Sequence, residues 1–333
     1  MPHRFALRTS LAATVGWALL AMPSGVSAHG QVAPPLDGWT AFTAWSLEAH
    51  VVLPLTLALV AFHWAVRTVD AAHPKSRVPR RRVLAWDAAL FTLLVALQSP
   101  LATYDTTLFS AHMIQHLLLT LVAAPLLVYA APITLLLRLA RPAARRGLIL
   151  PLLHSRPLRL VTFPVVGWVL FAGVMYMSHF SPLFDAALES ETLHVGEHAL
   201  YLGAGLLFWW PIVGADPSPW RLPHPARIFL LFLGMPWSSF LGLAIFSSST
   251  VLYPHYATLA RAWGASPIED QQLAGGIMWV AGDALFLVAL IVAVRAWLRA
   301  DEVEGRRIDE RLDRERSAGE RERGVSTRAR AEG

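Results

Sequence analysis

Residues 108–131 read LFSAHMIQHLLLTLVAAPLLVYAA, and this stretch decides the fold. It contains no Asp, Glu, Lys or Arg. As a helix it would extend about 36 Å, enough to cross a hydrocarbon layer of about 30 Å. It lacks the period-two alternation of a barrel strand. In lipid every backbone polar group must be paired internally, so the segment reads as a transmembrane helix.

Six further runs read the same way, at 44–66, 83–101, 160–180, 194–214, 226–247 and 272–298. Composition agrees. Of 333 residues, 55% are hydrophobic and 15% charged, and the mean hydropathy is +0.47. A soluble domain carries about 25% charged residues, and a disordered chain is less hydrophobic. The fold class is therefore an all-α integral membrane protein with seven transmembrane helices. Pro54, Pro125, Pro164 and Pro236 fall within these runs and are expected to kink their helices.

The formal charge of +5 would suit a nucleic-acid binder until the charges are placed. Residues 299–333 hold ten Arg and ten acidic residues, a balanced tail that reads as a charged helix or as disordered. Most other basic residues lie in alternate loops: Arg67 to Arg82, Arg138 to Arg159, Arg221 with Arg227, and Arg295 with Arg299. By the positive-inside rule these loops are cytoplasmic, which puts the N-terminus outside and the C-terminus inside. Residues 1–28 have the basic start, short apolar stretch and small-residue end of a cleaved signal peptide, which requires the same orientation. The expected organisation is a signal peptide at 1–28, a seven-helix domain at 29–298 and a cytoplasmic tail at 299–333. Cleavage would make His29 the first residue.

There are 13 His and no Cys. Zero Cys excludes disulfides, thiolate zinc sites, iron–sulfur clusters and a CxxC redox centre. Eight of the 13 His fall on the expected outer side. Among them, His112 and His116 open the third run, and His194 and His198 open the fifth. A spacing of four residues puts both rings of a pair on one helix face, where they can chelate a metal. Two pairs at matching depth can meet across a bundle. His179 ends the fourth run at that level, with Met113, Met175, Met177 and Met278 nearby. Imidazole suits copper, and thioether favours Cu(I). The sequence from His194 to His198 also fits the HxxEH of inverted zincin proteases. No soluble substrate-binding domain accompanies it, and Glu197 reads better as a group that orients a neighbouring imidazole. Glu48 and His50 lie near the outer end of the first run. Asp87 and Asp283 lie deeper, where an unpaired carboxylate is costly. Gly275 and Gly276 suit close helix packing.

Three stretches together resemble a known family. They are Ser110-Ala111-His112-Met113-Ile114-Gln115-His116-Leu117 with the later Ala124-Pro125 and Ala131-Pro132; His194-Val195-Gly196-Glu197-His198 leading to Phe208-Trp209-Trp210-Pro211; and Asp270 to Trp279. They resemble the CtaG family of cytochrome c oxidase assembly factors over about 40–298. The same family name is used for an unrelated single-span, cysteine-dependent copper chaperone, which zero Cys excludes.

The resemblance implies a multi-pass protein of the bacterial plasma membrane that helps mature a haem–copper oxidase. On that basis copper is the expected ion, held by His112, His116, His194 and His198, with His179 and His50 next. The expected partners are membrane lipid, cytochrome c oxidase subunits and periplasmic copper chaperones, with no nucleic acid. No covalent chemistry is implied, so the protein is not expected to be an enzyme. The rival readings are a copper or ion permease, a haem-binding membrane protein, and a metal-free assembly scaffold.

Overall fold

The structure is a computed structural model that describes residues 33–260 and 262–331. The expected signal peptide and His29 lie outside the described residues. All regular elements among those residues are helical.

The main helices are α1 (Ala49–Ala72), α2 (Arg80–Tyr104), α3 (Phe109–Leu139), α4 (Pro164–His179), α5 (Leu183–Glu189), α6 (Glu191–Val213), α7 (His224–Ser247) and α8 (Pro267–Glu315). Five of them, α1, α2, α3, α7 and α8, are long and apolar enough to cross a membrane. Taken as one broken span, α4 and α5 make a sixth, with a 70° bend between them. The remaining expected run corresponds to α6, which has 23 residues. That length suffices for a crossing, at about 35 Å, but Glu191, His194, Glu197 and His198 lower its apolarity below that of the others.

Several boundaries differ from expectation. Residues 44–48 precede the first long helix, which continues to Ala72 through what reads as the start of a basic loop. Pro164 begins α4 instead of kinking it, since its missing N–H would be unpaired there anyway. The expected loop at 181–193 is mostly helical. No break separates the last run from the tail, and helix continues from Gly282 to Ala331. Ion pairs at Arg307–Glu304, Arg311–Glu315 and Arg314–Glu310 decorate this solvated part of α8; pairs three or four residues apart each support a helix modestly.

Lipid is as apolar as leucine, so helices in it associate through close packing rather than burial from water. Small residues supply that packing here. A Cβ on Gly275 would sit 2.5 Å from the Phe246 backbone nitrogen, and one on Gly242 would sit 2.7 Å from that of Trp279, which locks α7 to α8. A Cβ on Gly205 would lie 3.0 Å from the Ala124 Cβ and 3.3 Å from the Thr120 Cα. This contact presses α6 onto α3 and brings their histidine faces together.

The α3 backbone has a π-helical turn at Leu118–Ala123. In that register the carbonyl of Thr120 would be paired by the residue five positions on, Pro125, which has no N–H. The indole Nε1 of Trp209 on α6 donates to it instead, at 2.8 Å. The start of α3 is tied to α8. Asp270 accepts from the Phe109 backbone N–H at 2.7 Å and from the Ser110 hydroxyl at 2.5 Å, capping the helix from another part of the chain. At the far end, Asp216 accepts from the backbone N–H groups of Ile133 and Thr134 at 3.1 and 2.6 Å.

The deeper carboxylates are paired, as their cost requires. Asp87 meets His63 Nε2 at 2.8 Å. Asp283 accepts from the Ser239 hydroxyl, its two oxygens lying 2.8 and 2.7 Å away.

Candidate metal centre

The first turns of α3 and α6 and the last turn of α4 meet at one end of the bundle. His112, His116, His179 and His194 are all buried there. His112 and His116 bring their Nε2 atoms to 2.9 Å. Two nitrogens bound to one ion at about 2.0–2.1 Å, with an angle between a right angle and the tetrahedral value, stand about 2.9–3.4 Å apart. The pair has that separation. Buried Glu197 approaches from α6, with Oε2 3.5 Å from His112 Nε2 and Oε1 4.0 Å from His116 Nε2.

His194 and His198 also converge. Their ring centroids are 4.4 Å apart, and the His112 ring stacks on His194 at 5.2 Å. His112 thus belongs to two three-donor groups, one with His116 and Glu197 and one with His194 and His198. Within each group the donor atoms all lie within 4.8 Å of one another. Both groups could hold a metal ion.

His179 is held at the edge of this cluster, its ring 6.1 Å from that of His116. Its Nδ1 lies 2.7 Å from the Met175 carbonyl. A carbonyl only accepts, so Nδ1 carries the proton and Nε2 keeps its lone pair. Tyr201 stacks on His116 at 3.8 Å, and its hydroxyl meets Ser178 at 2.5 Å. This packing limits the rotation of His116.

The donor atoms fit a cation. His179 Nε2, His198 Nε2 and both Glu197 oxygens are buried without a hydrogen-bond partner among the described residues. An unmatched buried polar group costs about 1–3 kcal/mol, and more when charged. An ion in one donor group would meet Glu197 and an ion in the other would meet His198, while His179 belongs to neither group. Neither ion would satisfy Nδ1 of His112 and His116, which are also buried without a partner among the described residues.

Asp105, in the loop before α3, faces His194 Nε2 at 3.7 Å. Gln115 Nε2 donates to Asp105 Oδ2 and to the Ala96 carbonyl, each at 2.9 Å, so the carboxyl is held in place. Burial pushes this carboxyl up to about 8, outweighing the hydrogen bond from Gln115.

Five of the six histidines proposed from sequence therefore come together. The sixth, His50, does not join them. It is exposed, lies 3.5 Å from Glu48, and lines a cavity that leads toward the cluster. Met113, Met175 and Met278 are packed in the apolar core and Met177 is exposed. Glu197 proves more central than an orienting role suggests, since its oxygens face the ring nitrogens directly. Asp105, Gln115 and Tyr201 are missed by sequence reasoning. The available signal is position alone: each lies within one or two helical turns of a histidine pair or at the same end of a run.

A bundle of membrane-length helices enclosing a His–carboxylate cluster defines a membrane protein with a candidate metal centre. Residues 60–300 match the family described as cytochrome c oxidase caa3 assembly factor (Caa3_CtaG), and the chain belongs to that family. Its relatives include Uncharacterized protein Mb0105 of Mycobacterium bovis and Uncharacterized protein MT0111 of Mycobacterium tuberculosis. Each is 34% identical over 300 residues, covering 82% of this chain and 45% of the relative. Uncharacterized protein ML1998 of Mycobacterium leprae is 30% identical over 280 residues, covering 82% of this chain and 42% of the relative. The chain thus spans less than half the length of these relatives. No solved structure matches it at a significant level.

Proposed function

We propose that this protein binds copper at the His–Glu cluster on the outer face of the bacterial plasma membrane and supports its insertion into cytochrome c oxidase. The observation that carries the reading is the buried approach of His112 Nε2, His116 Nε2 and the Glu197 carboxylate, whose oxygens lack a hydrogen-bond partner among the described residues. Imidazole with carboxylate suits a divalent ion, and Cu²⁺ binds such donors most tightly among the common divalent metals. His194, His198 and His179 complete the set and offer alternative donors for handing the ion on by ligand exchange. The family supports an assembly role, and ligand exchange needs no catalysed covalent step. Oxidase subunits are the proposed recipients and periplasmic copper chaperones the proposed donors.

The proposed topology has seven spans, with α6 crossing the membrane despite its polar first turns. The N-terminus lies outside after removal of residues 1–28, and the tail from 299 lies in the cytoplasm. The alternate-loop arginines support this arrangement.

Two rivals fit less well. A haem held by imidazoles on facing helices would need room for its macrocycle between them, whereas the rings of His112 on α3 and His194 on α6 are stacked 5.2 Å apart. A permease needs available polar groups at depth, and Asp87 and Asp283 already have partners.

The test is oxidase maturation in cells carrying His112→Ala with His116→Ala. The variant is expected to insert into the membrane while the oxidase lacks copper. Normal oxidase copper content in that strain would refute the proposal.

A further inference from the structure

A cavity of about 460 Å³ lies between α1, α2 and α6 and extends to the metal centre. His194 and His198 line it, so its inner wall is shared with the cluster. Glu48 and His50 line its other end, Glu48 half-buried and His50 exposed, 3.5 Å apart. Asp105 and Glu191 also face it, and no Lys or Arg lines it among the described residues. Glu48 and Glu191 therefore bring charge of one sign, set among apolar walls such as Leu93, Leu97 and Leu202. Low-dielectric walls focus such a field and raise the local concentration of the opposite ion.

From these features the geometry points to an access route: Glu48 and His50 capture a divalent cation at the mouth, and the ion passes by Asp105 to His194 and His198. This rests on the proposed metal-binding function and adds the path to it. The path has donors at its mouth, in its wall and at its end. His198 Nε2, at the inner wall, is buried and lacks a partner among the described residues, so it can receive the ion. Transfer at each step exchanges one donor for the next, with no change in oxidation state.

The mouth is fixed rather than loose. The Ser46 N–H donates to the Gln98 carbonyl at 2.9 Å, and the Glu48 N–H donates to Gln98 Oε1 at 2.6 Å. The Thr103 hydroxyl donates to the Ala44 carbonyl at 2.7 Å. Residues 44–48 are thus tied to the end of α2, which presents Glu48 and His50 at a constant position.

The test is the rate of copper loading of the full chain in detergent, followed by quenching of tryptophan fluorescence. Glu48→Gln with His50→Ala is expected to slow loading about tenfold, within the range by which charged clefts accelerate binding. The final copper content is expected to equal that of the wild type. Raising the salt concentration is expected to slow the wild type more than the variant. Unchanged loading kinetics with a normal endpoint would overturn the route while leaving the metal centre intact. Loss of the endpoint itself would also overturn it, because the pair would then belong to the site. A wild-type protein that takes up no copper would overturn the underlying function instead.

Discussion

His112 is the donor common to both three-residue groups, so His112→Ala is the most revealing single change. Replacing a residue that only supports a metal ligand typically costs 10–100-fold in affinity. Removing a direct donor shared by both groups is therefore expected to cost at least about 100-fold. The consequence for stability follows from linkage. At a free copper concentration 100 times the wild-type Kd, binding stabilises the wild type by about 2.7 kcal/mol. A variant bound 100-fold more weakly gains only about 0.4 kcal/mol at the same concentration. Without copper the variant is expected to melt lower, since replacing a fully buried imidazole with Ala leaves a cavity, so the copper-dependent rise is compared within each protein. The assay is a thermal melt in detergent with and without copper, read by intrinsic fluorescence of the 13 Trp. A copper-dependent rise in Tm that is equally large in His112→Ala and wild type would refute the assignment of His112 as the shared donor.

Three further outcomes are expected. Trp209→Phe strands the Thr120 carbonyl that Pro125 cannot pair, and should destabilise the protein by about 0.5–2 kcal/mol with or without copper; an unchanged Tm would count against this account of the π turn. Gly205→Leu forces α3 and α6 apart, costing about 1–3 kcal/mol. It should weaken copper binding measured by calorimetry, and retained affinity would show that the helix contact does not set the site. Because the chain has no Cys, single substitutions report topology directly: an impermeant maleimide should label Ser249→Cys but not Ser76→Cys in intact cells, and the reverse pattern would overturn the proposed orientation.

Much of this arrangement was legible in the sequence because membrane helices and helical pairs are local signals. Long apolar runs mark spans without reference to neighbours, and the spacing of His112 to His116 and of His194 to His198 fixes a shared face. Matching depth allows the pairs to meet, and the close contact of α6 with α3 at Gly205 brings them together. The bend after His179 was not legible. Residues 181–193 carry polar and turn-forming groups that suit a loop, yet their apolar positions, Phe184 above all, pack under the His cluster as α5. The role of Glu197 depended on rotation of α6 against α3, which the Gly205 contact sets and one-dimensional spacing does not express. His50 stands apart from the cluster for a related reason. Its depth matches the other histidines, but α1 stands on the far side of the cavity from α3, so equal depth did not become contact. The capping of α3 by Asp270 links residues 160 or more positions apart and carries no local mark.

The central claim is that these imidazoles and Glu197 hold copper. It is tested most directly by X-ray absorption and metal analysis of the purified wild-type protein, beside a variant with His112, His116, His194 and His198 all changed to Ala. The account predicts tightly held copper in the wild type, ligated by nitrogen and oxygen with an imidazole signature and no sulfur, and its loss from the variant. Equal metal content in the two proteins, or a wild-type spectrum dominated by sulfur, would contradict it.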